Sequence, residues 1–225
     1  MKDRPNGVVW RLLDLVAAVL GLVLLAPLLA FVAAIIRVAD GSPVLFRQTR
    51  VGRHGATFTL LKFRTMSRAS GDVDGVTVAN DARVTAVGKH LRRLKLDELP
   101  QLINVVRGEM SVVGPRPDMP NVVATFTGSS RDVLAFRPGI SCATTLLFDH
   151  ETELMSQATD PAGYYVRVLA PLKACQAASE MRSATIVTFF DVVRRTLRPG
   201  RRAEGSLALQ ELVRERGVLP NEWVP

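Results

Sequence analysis

The chain has 225 residues and 24.6 kDa, which suits one ordinary domain with an appendage. An apolar fraction of 48% against 22% charge supplies a core and excludes a disordered chain. Cys142 and Cys175 make no CxxC pair, the three histidines make no HExxH pattern, and neither GxxxxGK[ST] nor GxGxxG occurs. A disulfide scaffold, a zinc site, a P-loop and a dinucleotide fold are thereby disfavoured.

The net charge of +8 is unevenly spread. Residues 1–40 and 118–225 are nearly balanced, whereas residues 41–117 carry thirteen Lys/Arg against six Asp/Glu. That middle block predicts an anionic partner: nucleic acid, phospholipid or a phosphorylated metabolite.

Residues 1–40 contain an uncharged stretch from Leu15 to Ile36, the length of a membrane helix. A signal peptide, a spanning helix and a re-entrant hairpin compete for it. The run exceeds an ordinary signal core and ends in no small-x-small cleavage site. Pro27 stands near its middle, where a missing N–H predicts a break. Limbs on either side would reach only ~18 and ~15 Å, short of a ~30 Å hydrocarbon core. Basic residues flank both ends, which favours placing both on one side. The expectation is a hairpin broken at Pro27, with membrane attachment the firmer part.

Asp40-Gly41-Ser42-Pro43 is a turn signal. Two β-prone runs follow, near 44–48 and 57–64, joined through a Gly/His/Gly stretch as in a hairpin. Alternation puts Phe58, Leu60, Lys62 and Arg64 on one face of the second run. Residues 84–96 have helical spacing, with Val84, Val87, Leu91 and Leu94 on one stripe and Arg92 and Lys95 on another. Asp97 is a good helix N-cap type, Glu98 suits a first turn, and Pro100 is tolerated there. Local pattern alone makes these carboxylates caps for the helix LPQLINVV.

Their surroundings favour chemistry. Arg92, Arg93 and Lys95 precede the pair, and the stiff Gly114-Pro115-Arg116-Pro117 segment presents another guanidinium. Carboxylates in a positive field stay ionised, as a nucleophile or Mg²⁺ ligand requires. Arginines on rigid elements grip phosphate bidentately. Phosphoryl transfer is the reaction class this combination predicts.

The segments GSPVLFRQTRVGRHG, FTLLKFRTM, DARVTAVGKHLRRLKLDELPQLINVVRGEMSVVGPRP and FRPGIS resemble, in order, the bacterial sugar transferases, monotopic polyprenyl-phosphate phosphoglycosyl transferases. The resemblance spans about residues 8–140. It implies a small mixed α/β domain behind a re-entrant membrane helix hairpin, on the cytoplasmic face of the bacterial inner membrane. Domain limits on this reading are 1–40 for the anchor, 41–198 for the catalytic unit and 199–225 for a tail. The implied substrates are a UDP-sugar and polyprenyl (undecaprenyl) phosphate, with Mg²⁺ as cofactor and membrane lipid as surroundings. Sugar-1-phosphate would pass through a covalent aspartyl-phosphosugar and UMP would leave, initiating a surface glycan. Matching motifs assigns Asp97 as nucleophile and Glu98 as Mg²⁺ ligand. It places Lys62, Arg92 and Arg116 on phosphates, with Arg64 as a further candidate and Pro27 as the hairpin break.

Past residue 140 the chain departs from the family's common continuation and reads PGISCATTLLFDHETEL, so the sugar, the lipid length and the oligomeric state are open. Pro138-Gly139 predicts a turn near the site. The run ATIVTFFDVVRRTL is a helix with two readings, interfacial or core-packed. Two rival functions are disfavoured. The basic block has too few aromatics for nucleic-acid binding, so no nucleic-acid partner is expected. A silent scaffold has no need of Asp97, Glu98, Lys62 and Arg116 together.

Overall fold

The computed structural model describes residue 5 and residues 7–67, 81–197 and 202–216, with backbone alone for 150 and 202–208. Helix α1 (Val8–Ala39) leads into an antiparallel hairpin of β1 (Leu45–Val51) and β2 (Thr57–Phe63). The turn is closed by His54 and Gly55, both left-handed at φ 58° and 81°. The two strands and their connection lie where the alternation puts them.

Helix α2 (Ala86–Arg93) begins at Thr85, whose hydroxyl accepts the Gly88 N–H at 2.9 Å. Next come α3 (Gln101–Arg107) and β3 (Ser111–Val113), then the single turn α4 (Pro120–Val123). Strand β4 (Gly139–Ser141) pairs in parallel with β3. Short helices α5 (Ala143–Leu147), α6 (Glu151–Met155) and α7 (Pro161–Tyr164) precede the longer α8 (Ala170–Ser183), α9 (Ile186–Leu197) and α10 (Arg202–Glu215). The mixed α/β class is as expected.

One expectation about the ends changes. Helix α1 is continuous for 32 residues through Pro27, so no break divides residues 1–40 into two separate helices. A proline inside a helix costs ~3 kcal/mol or more. Here packing on both sides of it offsets that cost. Gly21 lies against Leu102 of α3, while Val32 and Ile36 bury with Phe63 and Leu91. The described part of 199–225 is a helix packed on the body. Leu209 and Val213 of α10 are fully buried with Phe148, Met155 and Tyr164.

Both ends of α1 are tied to the same body. At the front, Asp14 Oδ1 accepts from Ser111 Oγ and from the Val112 N–H, each at 2.8 Å. Arg11 donates to the Val105 and Val106 carbonyls, and Trp10 stands edge-on to Phe189 at 5.3 Å. At the rear, Arg64 donates to the carbonyls of Asp40, Gly41 and Ser42, and Thr85 Oγ1 donates to Asp40 Oδ2. Between these anchors Val23, Leu24, Ala26 and Pro27 are exposed. Among the described residues α1 is the one helix long and apolar enough to cross a membrane.

Helix α9 divides the two readings between its faces. Phe189 and Val192 join the core with Trp10, Val113 and Met181, whereas Val187, Phe190 and Leu197 are exposed.

The expected turn at Pro138-Gly139 is instead the entry to β4, and the contact there is unusually close. A Cβ on Gly139 would sit 2.1 Å from the Gly114 nitrogen. Gly139 N–H donates to the Pro115 carbonyl at 2.8 Å, and Gly114 N–H to the Ser141 carbonyl at 3.0 Å. Backbone therefore holds the Gly-Pro-Arg-Pro segment, and only glycine permits the approach. Gly139→Ala is expected to lower stability by about 3 kcal/mol, through overpacking against an unyielding backbone. A thermal scan showing a loss of roughly 6–12 °C checks this.

Candidate active site

Asp97 and Glu98 sit in a separate 3₁₀ turn, Leu96–Glu98, between α2 and α3. Lys95 precedes them in the left-handed region at φ 55°, which reverses the chain and turns the pair away from the line of α2. The capping reading fails. Helix α3 has Pro100 at its N-cap position and no side-chain cap. The N–H groups of Leu99, Leu102 and Ile103 donate instead to the Leu96, Leu99 and Pro100 carbonyls, so neither carboxylate caps the helix.

Three elements converge on Glu98. Lys62, near the end of β2, donates to Oε1 at 3.1 Å. Arg116, on the segment braced by β4, forms a two-pronged pair, with Nη2 on Oε1 and Nη1 on Oε2 at 3.1 Å. Burial by itself raises the Glu98 carboxyl pKa, but the charges and hydrogen bonds of Arg116 and Lys62 outweigh it and hold it far below its ordinary 4.5. Glu98 also holds the Arg116 pKa above its ordinary value. Burial pushes the Lys62 ammonium down, with Glu98 opposing.

Asp97 has the opposite environment. It is 7% exposed, and among the described residues nothing donates to it or pairs with it. Burial raises its pKa above 3.8, and the nearby charges of Lys62, Arg92 and Arg116 only partly offset this. The expectation that both carboxylates are held ionised by a positive field is therefore half right. Desolvation dominates at Asp97, and direct pairing dominates at Glu98.

Arg92 reaches the same region from α2, its Nε donating to Thr65 Oγ1 at 2.8 Å. Arg64 lines the same space as Lys62, and its Nη atoms also donate to the three carbonyls of the α1–β1 turn. The alternation that put it beside Lys62 ends with β2 at Phe63.

Lys62, Arg92, Asp97, Glu98 and Arg116 all line one cavity of about 1740 Å³, although they span more than fifty residues of sequence. Its other wall is apolar, formed by Leu24, Leu25 and Leu28 of α1. One space thus joins a charged end to the exposed stretch of the membrane-type helix. Pro27 belongs to that stretch and makes no contact with the charged end.

Arg50 and Lys173 carry no sequence signal that places them at this site. Arg50 lines the cavity from β1, and Tyr165 donates to Asp118 Oδ1 at 2.8 Å from its far side. Lys173 pairs with Glu151 at 2.6 Å. Period-two alternation in β1 puts Phe46, Gln48 and Arg50 together but does not say what they face. Asn104 is fully buried. Its side chain binds the Leu61 N–H and the Thr59 carbonyl, docking the Lys62 strand onto the helix that follows Glu98.

Among the described residues no three acidic, histidine or cysteine side chains cluster into a metal cage. Mg²⁺ needs none, since one or two carboxylates with phosphate oxygens and water complete its octahedron. Glu98 fits that role. Its carboxylate has about four lone-pair sites, and three are taken by Lys62 and Arg116.

Comparison with known proteins identifies the family. The family model described as Bacterial sugar transferase matches residues 5–176. The uncharacterized sugar transferase EpsL of Bacillus subtilis (strain 168) is 41% identical over 131 residues, covering 58% of this chain and 64% of the relative. The exopolysaccharide production protein ExoY of Rhizobium meliloti (strain 1021) is 39% identical over 155 residues, covering 61% and 69%. The UDP-glucose:undecaprenyl-phosphate glucose-1-phosphate transferase of Escherichia coli (strain K12) is 48% identical over 120 residues, 51% of this chain but 26% of the relative. This chain therefore spans about two thirds of the first two relatives and a quarter of the third. With 172 residues matched by the family model, including every cavity-lining charge named above, the chain belongs to the bacterial sugar transferase family.

Proposed function

We infer that this protein transfers a sugar-1-phosphate from a UDP-sugar to a polyprenyl phosphate, through a covalent intermediate on Asp97. The observation that carries the reading is the contrast between two adjacent carboxylates. Glu98 is locked by Lys62 and Arg116, while Asp97 is buried without a protein partner among the described residues. A desolvated carboxylate with free lone pairs is a nucleophile, and a neutralised one is a fixed part of the frame.

In the first step an Asp97 oxygen attacks the sugar-linked phosphorus. The bond from that phosphorus to the bridging oxygen breaks, and UMP departs with the electron pair. In the second step an oxygen of polyprenyl phosphate attacks the same phosphorus. The acyl-phosphate bond breaks, Asp97 leaves as carboxylate, and a polyprenyl-diphospho-sugar forms. Arg116 and Lys62 supply positive charge beside the transferred phosphoryl group, and Arg92 supplies more from the Asp97 side. Glu98 would hold Mg²⁺, which when bound neutralises diphosphate charge. Names of relatives support this reaction, since the Escherichia coli and Caulobacter vibrioides relatives are UDP-glucose:undecaprenyl-phosphate glucose-1-phosphate transferases.

The membrane reading belongs with this function. Both ends of α1 are anchored to one body while its middle, around Pro27, presents apolar side chains outward. We read α1 as one continuous helix, held to that body at both ends, whose exposed middle rests in one side of the bilayer. We place the catalytic body on the cytoplasmic face, with the exposed stretch of α1 in the lipid and the acceptor tail beside Leu24 and Leu28.

Purified protein with UDP-sugar labelled in the phosphate next to the sugar tests the scheme. The expected result is UMP release in one burst without acceptor, with label retained on acid-quenched protein. Polyprenyl phosphate should then discharge that label into lipid. Release of UMP only when acceptor is present would overturn the covalent scheme.

A further inference from the structure

Arg50 is a cation in the cavity wall that the scheme above leaves unused. It projects from β1 on the face it shares with Gln48 and Phe46, and Phe46 is the cross-strand partner of Lys62. Its guanidinium is held in place. Nε and Nη2 donate to Gln48 Oε1 at 3.0 and 2.6 Å, and Nη1 donates to the Pro117 carbonyl at 3.1 Å. Pro117 follows Arg116 in the chain, and both arginines line the cavity.

Three of the five N–H groups of Arg50 are thereby used. One on each Nη remains, which is the forked pair that binds two oxygens of a phosphate. No carboxylate stands within ion-pair distance of Arg50 among the described residues, in contrast to Arg116, Lys62 and Lys173. Asp118 is the nearest source of negative charge, and its Oδ1 already accepts from the Tyr165 hydroxyl. A half-buried, oriented guanidinium that no carboxylate pairs directly and that lines a cavity is suited to an anion.

The chemistry says which anion. The argument rests on the two-step scheme at Asp97. Displacement at phosphorus proceeds with attacking and leaving oxygens in line. When Asp97 attacks, the leaving oxygen belongs to the UMP phosphate and lies opposite Asp97. When Asp97 leaves, the attacking oxygen belongs to polyprenyl phosphate and must occupy that same opposite position. Both are phosphate monoesters. Along β1, Arg50 lies four residues from the partner of Lys62, about 13 Å at ~3.3 Å per residue. That offset suits a phosphate beyond the one held at Lys62.

We propose that Arg50 is the anchor of a phosphate-monoester pocket used twice per turnover, first by the phosphate of departing UMP and then by that of the incoming polyprenyl phosphate.

The test measures UMP and uridine binding by calorimetry, and the KM for polyprenyl phosphate, in wild type, Arg50→Gln and Arg50→Lys. Uridine lacks the phosphate and reports whether the rest of the site is intact. Expected for Arg50→Gln are a loss of ten-fold or more in UMP affinity, unchanged uridine affinity and a similar rise in acceptor KM. Arg50→Lys, which keeps the charge and loses the fork, should fall between. UMP and uridine weakened equally in both variants would make Arg50 a merely structural residue and overturn the proposal. An effect on one phosphate monoester but not the other would overturn the shared pocket. UMP binding needs no turnover, so the outcome is separable from the covalent scheme. Loss of UMP binding in Arg50→Gln without any adduct in wild type would sink the scheme and keep Arg50 as a nucleotide-phosphate residue, with its double use refuted.

Discussion

Asp97→Asn is expected to remove activity and raise stability at once. Loss of the nucleophile should cut both UMP release and acid-stable label on the protein by about 10⁴-fold, with UDP-sugar binding nearly unchanged. The amide keeps the shape of the side chain and carries no charge to desolvate. Burial raises the pKa of Asp97 above 3.8 in the folded protein, so between 3.8 and that raised value the folded state binds more protons than the unfolded one. Stability therefore falls as pH rises through this window, and the ionised group opposes folding at neutral pH. Removing the charge should gain about 1 kcal/mol, or roughly 2–4 °C. The gain should shrink as pH is lowered towards 3.8, because wild type then carries a neutral carboxyl as well. A labelled adduct persisting in Asp97→Asn would assign the nucleophile elsewhere, and a lowered melting temperature would refute the desolvation argument.

Glu98→Gln should do the reverse to stability. It leaves Lys62 and Arg116 without the carboxylate they both pair with. Breaking a fully buried pair costs about 3–5 kcal/mol. With side-chain exposures of 18–32% the cost here should be about 2 kcal/mol. The folded pKa of Glu98 lies below its ordinary 4.5, so its stabilisation is complete above 4.5 and is lost as pH falls through the folded value. Wild type should accordingly lose the difference from Glu98→Gln on acidification below about pH 4.5. Both half-reactions should slow and require more Mg²⁺, since the fourth lone-pair site is lost with the carboxylate. Label on the protein should still form, slowly. Thermal scans against pH, together with Mg²⁺ titrations of single-turnover rates, check each part. Unchanged Mg²⁺ dependence would remove Glu98 as the ligand.

The opposite signs of these two substitutions show where sequence stops being informative. The adjacency of Asp97 and Glu98, the cations at Lys62, Arg92 and Arg116, and the apolar length of residues 15–36 are properties of the chain, legible from residue types and spacing. So were the β1–β2 hairpin and α2, whose signals are local: β-prone runs about a Gly/His/Gly stretch, and an apolar stripe at helical spacing. Environment is not local. Whether a carboxylate is paired or merely buried depends on which distant segments reach it. Arg116 reaches Glu98 because two backbones meet at Gly114 and Gly139, an approach no periodicity encodes. Arg64 carries the same charge as Lys62 two residues away, yet it also ties down the turn after α1, which no local pattern announces. Pro27 predicts a break from its missing N–H, but the packing of both flanks on the domain decided that the helix continues. Sequence by itself determined the chemical inventory and the anchor. The tertiary structure decided which charges neutralise one another and which stay available, because electrostatic and desolvation energies depend on distances in space and not along the chain.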